Sequence, residues 1–121
     1  MDYSDIYIQM CGQADEIQKI VKQRPTEFSD IFYNKQSDEF HFGAFCDEED
    51  IWLPMQDTLQ NMLDTSISYC LVYTGGFYKI VLCSADKTFS FNADSPEICF
   101  ISTVMKTSFN KVWSNQEWIY S

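Results

Sequence analysis

The sequence predicts an α+β fold: a single domain over residues 1–121, built on an antiparallel sheet of about five strands with three helices. Three observations predict it. Segments of helical and strand periodicity follow one another in the order helix, hairpin, helix, three-strand meander, helix. Aromatics make up 17% of the 121 residues, enough bulky apolar surface for one packed core. No internal repeat, low-complexity tract or linker divides the chain.

The first helix opens after Ser4, a capping residue followed by Asp5 in the first turn. Ile6, Met10, Ile17, Ile20 and Val21 fall near one face, and Gln13 to Asp15 offers a second start. Gly12 weakens the middle, and Pro25 ends the helix by pushing Arg24 out of the helical region. Asp30–Asn34 and Glu39–Phe45 then read as strands flanking a polar turn, with Phe40 and Phe42 on one face and Glu39 and His41 on the other. As the only histidine, on a strand's polar face, His41 reads as a surface residue.

A short helix is expected from Pro54 to about Asp64, with proline in its first turn and Met55, Leu59, Met62 and Leu63 as its apolar stripe. Ile67–Tyr73, Phe77–Cys83 and Thr88–Phe91 read as three strands, the first two joined by a Gly75-Gly76 turn. The apolar runs Leu71-Val72-Tyr73 and Ile80-Val81-Leu82 suggest central strands buried on both faces. Ser95-Pro96-Glu97 opens the last helix, and Val112-Trp113 and Trp118-Ile119-Tyr120 flank a polar turn in an aromatic tail.

Net charge is −10, from 18 acidic and 8 basic residues. Such a surface repels phosphate backbones, which disfavours direct nucleic-acid binding, and attracts basic protein surfaces. No apolar run approaches the ~18 residues needed to cross a bilayer. The opening Met1-Asp2-Tyr3-Ser4-Asp5 lacks the basic flank and apolar stretch of a signal peptide, so a cytoplasmic location without membrane attachment is expected. Cys11, Cys46, Cys70, Cys83 and Cys99 are odd in number and lack the spacing of a zinc or redox motif. They read as reduced thiols, most of them in apolar segments.

Little in the sequence points to catalysis. One imidazole is present, and no nucleophile-elbow pattern surrounds a serine. Gly75-Gly76 is too short for a phosphate loop and is explained by its turn. Asp47-Glu48-Glu49-Asp50 lacks the alternation and central glycine of a calcium loop, and reads as a solvated charge run or a partner-facing acidic patch. Neither a metal nor another cofactor is expected.

Three phrases carry a resemblance: Tyr7-Ile8-Gln9-Met10-Cys11 running into Glu16-Ile17-Gln18, Trp52-Leu53-Pro54-Met55-Gln56-Asp57-Thr58-Leu59-Gln60-Asn61-Met62-Leu63, and Phe109-Asn110-Lys111-Val112-Trp113 with Glu117-Trp118. Together they resemble a group of small proteins of tailed bacteriophages and prophages, over nearly the whole chain except residues 64–94. The resemblance implies scaffold and brings no activity with it. It implies a phage accessory protein in the host bacterial cytoplasm. The expected function is non-enzymatic: binding and inhibiting a basic host protein such as a nuclease or defence complex, in the manner of a nucleic-acid mimic or an anti-CRISPR inhibitor. Asp38, Glu39, Asp47, Glu48, Glu49 and Asp50 are the candidate partner-binding residues. The alternative is a phage structural or assembly accessory, held by aromatic and Met surfaces.

Overall fold

The computed structural model describes residues 1–43, 48–83 and 87–121. In chain order its elements are α1 (Asp5–Gln13), α2 (Asp15–Lys22), β1 (Ile31–Asn34), β2 (Glu39–Phe42), β3 (Asp50–Trp52), α3 (Gln56–Asn61), β4 (Ser68–Thr74), β5 (Phe77–Cys83), β6 (Thr88–Ala93), α4 (Pro96–Phe109), β7 (Lys111–Ser114) and β8 (Glu117–Tyr120). Mixed α and β structure is as expected. The single five-stranded sheet with three helices is not: among the described residues there are four helices and three small antiparallel sheets, ordered β2-β1-β3, β4-β5-β6 and β7-β8.

The extra helix arises because the first helical segment breaks at Ala14, whose φ of −87° and ψ of 76° lie outside the helical region. Ala14 closes α1 by donating to the Cys11 carbonyl and opens α2 by accepting from the Ile17 and Gln18 amides. Ser4 caps α1 as expected, its hydroxyl accepting from the Tyr7 amide at 3.3 Å. The break turns Tyr7, Met10, Cys11, Ala14, Ile17 and Val21 all into the core.

Strands β1 and β2 form the expected hairpin, with Phe32 opposite His41 and Tyr33 opposite Phe40. One expectation is qualified nearby and another fails. His41 stays partly exposed, but its ring stacks on Phe32 at 5.4 Å and its Nε2 meets Asp50 at 2.9 Å. Pro54 does not enter a helix: α3 begins at Gln56, and the Pro54 carbonyl accepts the Tyr7 hydroxyl at 2.5 Å.

The meander matches its expected order, and Gly75 (φ 63°) and Gly76 (φ 90°) take the left-handed backbone that a tight type I′ turn requires. Only β5 is central, however. Leu71-Val72-Tyr73 lies on the edge strand β4, where Tyr73 is 65% and Val72 42% exposed, because β4 has a partner on one side only. The inner face of this sheet, through Ile80 and Leu82, packs on Phe100, Ile101 and Val104 of α4 within one continuous core. Helix α4 carries the expected Ser95 cap, whose hydroxyl accepts from the Ile98 amide at 3.2 Å, and it stops at Asn110 in the left-handed region. The aromatic tail is a true hairpin, pairing Trp113 with Trp118 at a centroid distance of 5.1 Å.

Candidate functional site

The six candidate acids do not form one face. Asp47 lies outside the described residues. Asp50 begins β3 with its side chain fully buried, and it accepts from Asn34 Nδ2 at 2.8 Å and meets His41 Nε2 at 2.9 Å. A buried carboxylate committed to two partners cannot grip a partner's cation, so Asp50 leaves the candidate set. Glu48 is exposed, with Lys22 at 3.7 Å, and Glu49 is exposed beside it.

Asp38, Glu39, Glu48 and Glu49 do share one end of the β2-β1-β3 sheet. Asn34 stands opposite both Glu39 and Asp50 in the ladder, and the Lys35 amide donates to the Glu49 carbonyl at 3.2 Å. Asp38 occupies a left-handed turn position (φ 55°) and accepts the Tyr33 hydroxyl at 2.6 Å. That bond, with a smaller contribution from Asp5, holds the Tyr33 phenol above its ordinary pKa.

Aromatic side chains stand among these acids. Tyr3, just ahead of α1, meets Phe40 of β2 edge-on at 5.0 Å, and Tyr33 of β1 lies 5.3 Å from the same ring. Tyr3 and Phe40 are 45% and 41% exposed although they touch each other. Asp5 and Glu39 carry no ion pair among the described residues. The arrangement is a small aromatic platform rimmed by carboxylates. Tyr33 and Phe40 meet as a cross-strand pair of the β1–β2 hairpin, whereas Tyr3 joins them from the segment ahead of α1, a contact no local sequence signal announces.

The other carboxylates are spread over the molecule. Asp30 is held by Arg24 through two bonds of 2.9 Å, Glu16 meets Lys111 at 2.6 Å, and buried Glu97 lies 3.7 Å from the amino terminus. Asp15, Asp57, Asp64, Asp94 and Glu117 are exposed on separate elements. Among the described residues no group of three acid, His or Cys side chains converges to hold a metal.

A cleft of about 420 Å³ is lined by Ile6, Met10, Phe91, Ile98, Trp113 and Trp118, with Asp94 also in its wall. Its floor is fixed, since the Trp118 indole N–H donates to the Met10 carbonyl at 2.9 Å. The thiols best placed for order are poorly suited to nucleophilic work. Burial raises Cys11 far above its ordinary pKa and pushes Cys99 up to about 11.

The three phrases Tyr7–Gln18, Trp52–Leu63 and Phe109–Trp118 converge in space. Tyr7 bonds to Pro54, Gln18 bonds to Trp52, and Trp118 bonds to Met10, so each phrase is tied to another. They build the junction of α1, α2, β3 and the C-terminal hairpin, a scaffold role. No helix among the described residues is long and apolar enough to cross a membrane. No protein-family model, curated protein or solved structure matches the chain.

Proposed function

We propose that this chain is a phage-encoded binding protein, acting without catalysis in the host cytoplasm, that docks on and inhibits a host protein with a basic surface. The observation that carries the reading is the exposed Tyr3–Phe40 pair set beside Tyr33 and rimmed by Asp5 and Asp38. Aromatic side chains supply most of the binding energy in protein interfaces, while rim charges steer the encounter and select its sign. On a chain of net charge −10 the partner selected is basic, and the nucleic-acid groove of a nuclease or defence complex has that character. The non-catalytic part of the reading is supported by the Cys11 and Cys99 thiols, which burial keeps protonated.

Affinity capture from host lysate with immobilised protein tests this. A basic host protein is expected to be retained at low salt and to weaken as salt rises. It should be lost when Phe40→Ala is combined with Asp5→Asn, Asp38→Asn and Glu39→Gln. Retention that is indifferent both to salt and to these changes would reject the reading. A phage assembly accessory is the second reading, favoured by the exposure of Phe28 and Phe42 near Gly43. Mass spectrometry of purified virions separates the two.

A further inference from the structure

We infer that β4 is a dimerisation edge, which joins two copies of this chain antiparallel about a twofold axis at Leu71 into one six-stranded sheet. The two-residue Gly75-Gly76 turn makes Thr74 and Phe77 a hydrogen-bonded pair, and pairing alternates from there along the ladder. Val72, Cys70 and Ser68 therefore spend their amide and carbonyl groups on β5. Those of Tyr73, Leu71 and Tyr69 point away from the sheet, and among the described residues no other backbone group meets them.

These three positions are spaced symmetrically about Leu71. A second β4 running antiparallel places Leu71 opposite Leu71 of the second copy and Tyr69 opposite its Tyr73, each as a hydrogen-bonded pair. All the outward groups are then satisfied, and the aromatic side chains form cross-strand pairs on the face that already carries Ile80 and Leu82. On the opposite face Cys70 falls beside Val72 of the second copy. Both copies of α4 then lie on the same side of the joined sheet.

Charge selects the occupant. None of the eighteen acidic residues falls in β4, β5 or β6, so this sheet is where a chain of net charge −10 can approach its own copy without facing carboxylates. Two other open edges suit a copy less well. The outward positions of β6 are Thr88, Ser90 and Asn92, and β2 begins with Glu39. An uncharged seven-residue edge without proline also lacks the usual protections against strand pairing.

Sedimentation velocity of the full chain tests the inference. The wild type is expected to move from 14.2 kDa to twice that mass as concentration rises from micromolar toward millimolar. Tyr73→Pro removes an amide that β5 does not use, which an edge strand tolerates. It should keep the native circular dichroism and raise the dimer dissociation constant about tenfold or more. A second variant covers the case in which Tyr73→Pro fails to fold. In Val72→Cys the new thiol faces Cys70 of the second copy across a non-hydrogen-bonded pair with Cα atoms about 4.5 Å apart, within disulfide range. Mild oxidation should yield a covalent dimer with a mapped 70–72 linkage. A wild type monomeric at every concentration, a dimer unaffected by Tyr73→Pro, or a Val72→Cys protein without the 70–72 linkage would overturn the proposal.

Discussion

Gln18 and Trp52 exchange a matched pair of hydrogen bonds: the Gln18 side-chain amide donates to the Trp52 carbonyl at 2.9 Å, and its oxygen accepts from the Trp52 amide at 2.9 Å. Trp52 lies on β3, whose far side has no neighbouring strand in the β2-β1-β3 sheet. The side chain of one helical residue thus completes the ladder where another strand would have stood, and its N–H group also reaches the Cys11 carbonyl at 3.0 Å. One glutamine ties α1, α2 and β3 together.

Replacing Gln18 by Leu keeps the bulk and removes all three bonds, leaving part-buried backbone groups without partners. The expected loss is about 2–3 kcal/mol of stability, since each stranded group costs about 1 kcal/mol or more. Urea unfolding should show a lower midpoint at an unchanged slope. A midpoint within error of wild type would mean that water replaces the glutamine at no cost.

How much of this was legible in the sequence depends on the range of the interaction. Ser4, Ser95-Pro96 and Gly75-Gly76 announced their caps and turn because cap and turn chemistry acts within a few residues. The partition into three sheets did not show, because strand periodicity says which residues share a face and nothing about which strands adjoin. Leu71-Val72-Tyr73 read as interior for the same reason: an apolar strand on an edge looks like one in the middle. Asp50 illustrates the limit at the candidate site. Four consecutive acids look equivalent in sequence, yet the fourth is drawn inside by Asn34 and His41, residues that only the ladder brings beside it. The Tyr3–Phe40–Tyr33 platform did not show as a whole, because Tyr3 joins the Tyr33–Phe40 pair of the hairpin from a separate segment.

Acid should loosen the molecule through two ion pairs. The bond from Arg24 lowers the Asp30 carboxyl against an opposing effect of partial burial. For Glu16 partial burial pushes upward, but the Lys111 bond and further contributions leave the carboxyl below its ordinary value. A carboxyl depressed in the folded state adds stability that is fully present above its unfolded pKa, near 4, and is lost as pH falls through the lower folded value. Stability should therefore fall below about pH 4. In Asp30→Asn that acid-dependent loss should shrink while stability at pH 7 drops by about 1–3 kcal/mol. Thermal unfolding across pH 2 to 7 tests this, and identical pH profiles for the two proteins would exclude Asp30 as a contributor.

Thiol reactivity should divide the cysteines by environment. Cys70 and Cys83 are exposed, whereas Cys11 and Cys99 are buried with their pKa values raised by desolvation. Reaction proceeds through the thiolate, so at pH 8 the native protein should be alkylated at Cys70 and Cys83 within minutes, with Cys11 and Cys99 protected until denaturant is added. Peptide mapping after a timed iodoacetamide pulse gives the order. Early labelling at Cys11 would show that the α1–β3 junction opens readily.

The C-terminal hairpin turns through Asn115 at φ 51° and Gln116 at φ 66°, with Ser114 and Glu117 as the pair that flanks them. Both turn residues occupy the left-handed region, as a type I′ turn demands, and asparagine tolerates it better than glutamine does. A non-glycine residue there carries about 1 kcal/mol or more of strain, while glycine loses about 0.5–1 kcal/mol through its freer unfolded chain. Gln116→Gly makes the favoured Asn-Gly turn, so a small net gain of a few tenths of a kcal/mol is expected. The gain should appear as slower amide exchange in β7 and β8, because Trp113 and Trp118 pack across this ladder and the indole of Trp118 anchors it to Met10. If exchange in the hairpin accelerates instead, Gln116 is making a contribution in the turn that outweighs its backbone strain.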